Sequence, residues 1–506
     1  MNLSLKNLTL LAVFIIAKEL YADGDYTMNY TVSIDGDHQD LYVDLRVEFD
    51  EAQSSPCILE MPMWAPGYYM IMDFPQDVSD FKASKDDGSN LKWEKSSENQ
   101  WSVSMAGKEL NVSYKVHAEN HSVVHSTAGN DYTFIAPNGV FMYFSNDKYH
   151  RVDVTYVMHD DWKYASTGLK QVGENRGKYR TFTAPDFDVL YDSPILLGNQ
   201  MIRKFTHEGH DYEFAILTPD GYDETSFEDD FKTMMSQATK LIGGVPYDNY
   251  CLIHLGAGGG GLEHLNSQAC YTGGSYRFRD RNSYLSHLCF VTHEYFHLYN
   301  VKSIRPIELG PFDYSNKVLT SLLWVSEGFT CYYETRILFQ AGLIDYQYLL
   351  KELSSSIRTI QTHEGRKYMS LRSSSWDIWD NFFSHSDRVI SYYDKGPILG
   401  MLFDIEIRRL TNAKKGLDDL MRLLYHKYYI GMNRGFTEEE FWAEANKIAG
   451  KELATLRRYV DTTDEIDYDP ILLHAGLGIN HDTWELYKLD KVNKKQLKVR
   501  KALIGE

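Results

Sequence analysis

The stretch His293-Glu294-Tyr295-Phe296-His297 constrains this chain more than any other, because side chains four apart on an α-helix share one face. Two imidazoles so placed aim at one point, which a zinc ion can fill. Just upstream, Ser286-His287-Leu288-Cys289-Phe290-Val291-Thr292 repeats apolar residues at helical spacing, so the pattern predicts the helix that the pair needs. Glu294, beside the first histidine, can act as general base on an attacking water without binding the metal. Two histidines on an ordinary core or solvated helix would read the same way, so the other residues of the set decide between the readings.

Catalytic zinc usually takes three protein ligands and keeps a fourth position open. Glu327 is the candidate third ligand, since it lies in an apolar-rich segment, Leu319 to Phe339, that reads as a second and largely buried helix. A carboxylate is costly to bury there unless a cation pairs with it. Glu334, two turns later on nearly the same face, competes for that role. The preferred reading makes Glu327 the ligand and Glu334 the acceptor that holds a ligand histidine by its other ring nitrogen.

The run from His293 through His297 into Asn300-Val301-Lys302-Ser303-Ile304-Arg305-Pro306, followed by Trp324-Val325-Ser326-Glu327-Gly328-Phe329-Thr330, resembles the glycyl aminopeptidase family of zinc peptidases, a branch of the gluzincins. The 29 residues between His297 and Glu327 form a longer gap than in thermolysin-like enzymes, and this family shares it. Gly260-Gly261-Leu262-Glu263-His264 resembles the motif by which aminopeptidases grip a substrate's free amine, which implies Glu263 as amine anchor with Gly260 and Gly261 beside it. Ser391-Tyr392-Tyr393-Asp394-Lys395-Gly396 is similar to the Tyr-x-Lys-Gly motif whose tyrosine hydrogen-bonds the tetrahedral intermediate. Tyr393 matches that position, with Tyr392 as the alternative if the register slips. The resemblance further implies one zinc per chain and small N-terminal residues, glycine or alanine, as the ones removed. Many relatives carry a C-terminal PDZ domain, which the residues after Ile479 are too few to form.

From Asp25 to about Arg203 the chain alternates apolar and polar residues between turn signals, as in Leu41-Tyr42-Val43-Asp44-Leu45-Arg46-Val47-Glu48-Phe49, which reads as an antiparallel β domain. Tyr250 to Leu255 reads as a strand, and the glycine run Gly256 to Gly261 follows it. No Gly-Lys-Ser or Gly-Lys-Thr comes next, so a phosphate loop is excluded and close backbone approach to a bound peptide is the better use. After Glu334 the spacing turns helical, through Leu349 to Ile360, Gly396 to Leu410 and Thr437 to Ala449. The fold class is therefore multidomain α+β. Residues 1–22 read as a signal peptide, 23–205 as the β domain, 206–340 as the thermolysin-like catalytic domain implied by the resemblance, 341–480 as a helical domain and 481–506 as a short tail.

The apolar run Leu8 to Ala17 is too short to span a bilayer and precedes a small residue near Ala22, which predicts cleavage there and a secreted or periplasmic protein. A net charge of -19 argues against nucleic acid or anionic membrane as partner. Peptides with a free N-terminus are the expected partners. Five cysteines cannot all pair and show no Cys-x-x-Cys spacing, so they are neither a disulfide framework nor a zinc knuckle.

Overall fold

A computed structural model of the chain describes residues 26–218, 224–271 and 280–504, and the signal peptide expected over 1–22 lies outside them. The chain divides after Met201 into two compact units.

In the first unit, alternation builds a seven-stranded sheet. Its spatial order is Lys170–Gln171, Tyr179–Ala184, Val152–Val157, Tyr26–Asp35, Asp40–Gln53, Gly107–His117 and Val78–Ser84. Along Asp40–Gln53, Leu41, Val43, Leu45, Val47 and Phe49 point inward, while the residues between them face solvent. Each such buried side chain stabilises the sheet by about 1.5–3 kcal/mol relative to exposure. One pair departs from the antiparallel expectation. Tyr26–Asp35 runs parallel to Val152–Val157, a pairing that needs a long crossover and leaves no local mark in the sequence. Two four-stranded sheets complete the unit.

The second unit holds a five-stranded sheet in the order Met201–His207, His210–Ile216, Asn249–His254, Ser267–Cys270, Gly261–Glu263. The helix Glu224–Ile242 bridges the parallel strands His210–Ile216 and Asn249–His254, as parallel pairing requires. Gly261–Glu263 is an edge strand, antiparallel to Ser267–Cys270 with Glu263 opposite Gln268. Against these two strands packs the helix Arg281–Phe296.

Helices make up most of the rest of the unit among the described residues. Tyr392–Leu410 is buried along almost its whole length and packs on both Phe329–Gln340 and Tyr346–Thr362. A buried charge cluster ties Phe329–Gln340 and Tyr392–Leu410 to a third helix, Leu417–Leu424: Arg336 lies 3.4 Å from Asp404 and 3.0 Å from Asp418, and the Tyr332 hydroxyl donates to Asp404 at 2.9 Å. Removing one member would strand an unpaired charge in the interior, so the cluster locks these helices into one arrangement. Residues 206–340 and 341–480 accordingly share one compact unit. The expected short tail is structured: Leu486–Lys488 pairs with Leu477–Ile479, and the helix Lys494–Ile504 buries Val499, Leu503 and Ile504. Arg336 donates to the Leu503 carbonyl at 3.2 Å, which joins that helix to the charge cluster.

All five cysteines are free thiols. No helix among the described residues is long and apolar enough to cross a membrane.

Candidate metal centre

Asp280 starts the helix that carries the histidines, its side chain accepting from the Ser283 amide at 2.9 Å. Leu285, Leu288, Val291, Tyr295 and Phe296 are buried along with Thr292 and Glu294, so the helix is enclosed on most sides rather than amphipathic. His293 sits in its last turn, and the His297 amide donates back to the His293 carbonyl at 3.2 Å.

Both rings are held by their Nδ1 atoms. His297 Nδ1 lies 2.6 Å from the Asn300 carbonyl, and His293 Nδ1 lies 2.7 Å from Glu334 Oε2. A carbonyl or carboxylate only accepts, so each Nδ1 is the donor, and in the neutral ring, the form that binds a metal, each Nε2 carries the lone pair. Those two Nε2 atoms face one another at 3.0 Å, with Glu327 Oε2 at 3.2 Å from His297 and 3.7 Å from His293. Three lone-pair donors converging in this way repel unless a cation sits among them. Zinc bonds of 2.0–2.2 Å in a tetrahedron set ligand atoms about 3.3–3.6 Å apart, which is close to the spacing here. The donor set fits zinc.

Charge points the same way. Four carboxylates, from Glu263, Glu294, Glu327 and Glu334, gather around two histidines. Burial pushes the Glu327 carboxyl up, but His297 and His293 outweigh it and hold it below the usual range, ionised as a ligand must be. At His297 burial acts downward, yet the carboxylates of Glu327 and Glu263 raise it above its ordinary value. The cluster attracts positive charge.

Glu327 stands on a π-helical turn, Trp324–Gly328, that runs into the α-helix Phe329–Gln340, where sequence spacing predicts one uninterrupted α-helix. Two contacts explain the wider turn. The Asn300 amide donates to the carbonyls of Val325 at 2.8 Å and Ser326 at 3.0 Å, satisfying groups that a π turn displaces from the regular ladder. Gly328 also meets Gly396 backbone to backbone, so closely that a Cβ on either would overlap the other's Cα. Asn300 thus touches both halves of the site, orienting His297 through its carbonyl and the Glu327 turn through its side chain. Sequence reading includes it in the run that carries the resemblance but gives it no role, because an asparagine three residues beyond the motif carries no periodic signal. Cys331, with Sγ 3.8 Å from His293 Nδ1, was also unforeseen. We expect Asn300→Ala to weaken zinc binding about 10- to 100-fold, measured by competition with a chelating dye. Unchanged affinity would show that the turn holds its shape without Asn300.

Glu294 is 5% exposed, and the charges of both His293 and His297 act on its carboxyl. Its carboxyl lies directly against Gly261, leaving no room for a Cβ there. Burial raises its pKa; His293 and His297 oppose this, and Glu263 and Glu327 add to it, the net shift being upward. Ligand atoms of Glu263, Glu294 and His297 all lie within 4.8 Å of one another, so the edge strand brings Glu263 into the same cavity. Gly260, at φ 94°, takes a left-handed turn into that strand, which glycine adopts without strain.

Of the two tyrosines, Tyr393 borders the centre, its ring 6.3 Å from that of His293 and 39% of the residue exposed. Tyr392 is 1% exposed, its ring 4.8 Å from that of Tyr393, and after burial the charge of Glu327 acts on its phenol too. Desolvation, then the charge of Glu327, push the Tyr393 phenol well above its ordinary value, so it stays a protonated donor.

Comparison with known proteins gives consistent results. The model of the peptidase M61 N-terminal domain matches residues 29–199, and that of M61 glycyl aminopeptidase matches 286–399. A crystal structure of an aminopeptidase N family protein from Idiomarina loihiensis superposes with a TM-score of 0.83 at 23% identity, covering 89% of this chain and 78% of the other. An M1 zinc metallopeptidase from Deinococcus radiodurans, bound to a Tyr-Ser-Ala substrate, gives 0.54 at 14% identity, covering 87% of this chain and 94% of that one. Native yeast LTA4 hydrolase gives 0.53 at 14% identity over 88% and 69%. These structures share the fold. No curated protein matches the sequence.

Proposed function

The chain belongs to the M61 glycyl aminopeptidase family of metallopeptidases, and from that premise we propose that it is a zinc-dependent aminopeptidase releasing small N-terminal residues, glycine or alanine, from peptides. His293, His297 and Glu327 would hold one zinc ion, with Glu334 and the Asn300 carbonyl fixing the two imidazoles. Zinc, when bound, polarises the scissile carbonyl and lowers the pKa of water toward neutrality.

The remaining steps fall to the protein's own groups. Glu294 takes a proton from the attacking water and returns it to the leaving amine. Its raised pKa suits a group that must both accept and give a proton. Tyr393 donates to the oxygen that becomes an oxyanion, a task that favours a phenol because it stays neutral at pH 7. Among the described residues Gly261–Glu263 stands at the edge of its sheet, where the backbone of an extended peptide can add as a further strand. Export is part of the same reading and rests on residues 1–22.

The observation that carries an aminopeptidase over an endopeptidase is Glu263, a buried carboxylate within 4.8 Å of Glu294 and His297. A buried acid one step beyond the general base suits a substrate ammonium stripped of its water. Removing one partner of such a pair costs about 2–5 kcal/mol, so Glu263→Ala should lower kcat/KM for free-amine peptides by roughly 30- to several thousand-fold at unchanged zinc content. Equal loss on N-acetylated peptides would show that Glu263 holds the site together and does not read the amine.

A further inference from the structure

A cavity of about 550 Å³ opens beside Tyr393; Ile360, Ile378, Phe382, Phe383 and Ile390 form its apolar side, and polar residues such as Asn381, His385 and Asp394 form the rest of its lining. Its volume exceeds what one glycine or alanine side chain could fill. Phe383 stands 67% exposed at the cavity, its ring 4.8 Å from that of Phe382 and nearly perpendicular to it. The apolar side of this cavity, with an exposed aromatic ring next to a site that handles peptides, is what a ligand's side chain would cover, while the polar side can meet the ligand's backbone.

The direction of the bound peptide follows from which residues flank the metal centre. Glu263 groups with His297 and Glu294, whereas Tyr393 lies against His293. If Glu263 holds the amine, the one residue before the scissile bond lies on the His297 side. The chain must then leave across the centre on the His293 side, past Tyr393, whose ring is also a wall of the cavity.

The geometry points to this cavity as the pocket for the side chain of the residue that follows the scissile bond, and to a large apolar side chain, aromatic or branched, as its occupant. This inference rests on the aminopeptidase reading and adds a substrate preference to it: the enzyme selects peptides of the form glycine, then a bulky apolar residue. Discrimination comes from the second position, because the first offers no side chain to grip.

The test compares kcat/KM of the zinc-loaded protein for Gly-Phe-amide, Gly-Gly-amide and Phe-Gly-amide, in wild type and two variants. Gly-Phe-amide should exceed Gly-Gly-amide by roughly 10- to 100-fold, as burial of one apolar side chain allows. Phe383→Ala removes an exposed wall with little effect on stability and should cut that ratio by about threefold or more. Ile378→Trp fills the cavity and should bring the ratio close to one. Efficient cleavage of both glycyl substrates at a wild-type ratio near one would overturn the pocket and leave the aminopeptidase standing. A preference for Phe-Gly-amide that Phe383→Ala abolishes would overturn the assignment by putting the cavity on the amine side. Failure to cleave any of the three would overturn the aminopeptidase reading and the pocket together.

Discussion

Glu294→Gln retains zinc and loses hydrolysis, with kcat about 100- to 10,000-fold below wild type, the range a positioned general base contributes. The substitution keeps shape and volume and removes only the ability to take a proton. It should also leave the packing against Gly261 undisturbed, since an amide occupies the same space as the carboxyl that rests there. His297→Ala makes the contrast: two protein ligands remain, so zinc and turnover fall together. Zinc content by atomic absorption, set beside initial rates on a glycyl peptide, separates the two cases. A Glu294→Gln protein with most of its wild-type kcat/KM would remove Glu294 from the reaction.

Glu327→Ala should nearly abolish zinc binding at micromolar metal, whereas Glu334→Ala should weaken it only about 10- to 100-fold. The difference lies in what each carboxylate faces. Glu327 Oε2 meets both Nε2 atoms, the nitrogens with free lone pairs, while Glu334 Oε2 meets His293 Nδ1, which already carries its proton. Loss of Glu334 frees the His293 ring to turn but leaves every donor in place. Titration of each apo variant with zinc, read by a competing dye, ranks them. The reverse order would make Glu334 the ligand.

Much of this site was legible because it is local. The i, i+4 spacing of His293 and His297 requires a shared helix face, and a helix is what Arg281–Phe296 forms. Alternation along Asp40–Gln53 was equally plain, because one face of that strand meets a core and the other meets water. What stayed hidden depends on contacts between residues far apart in the chain. The π turn under Glu327 exists through Asn300 and through Gly396 pressing on Gly328, and neither leaves a mark in the segment Leu319 to Phe339 itself. The parallel pairing of Tyr26–Asp35 with Val152–Val157 is of the same kind, since both strands show ordinary alternation whichever way they run. The elements within the short tail were not legible for want of length: Leu486–Lys488 and Lys494–Ile504 gain their stability from partners such as Leu477–Ile479 and Arg336 rather than from pattern.

A zinc-dependent cut one residue from a free N-terminus can be observed in a single comparison. The metal-free protein, the zinc-reconstituted protein and the reconstituted protein with chelator are each incubated with a glycyl peptide and its N-acetylated twin, and every product is identified by mass spectrometry. The enzyme should release a single N-terminal glycine from the free peptide, only with zinc present, and should leave the acetylated one uncut. Equal cleavage of both peptides at internal bonds, or release of glycine that survives removal of zinc, would contradict the zinc aminopeptidase reading.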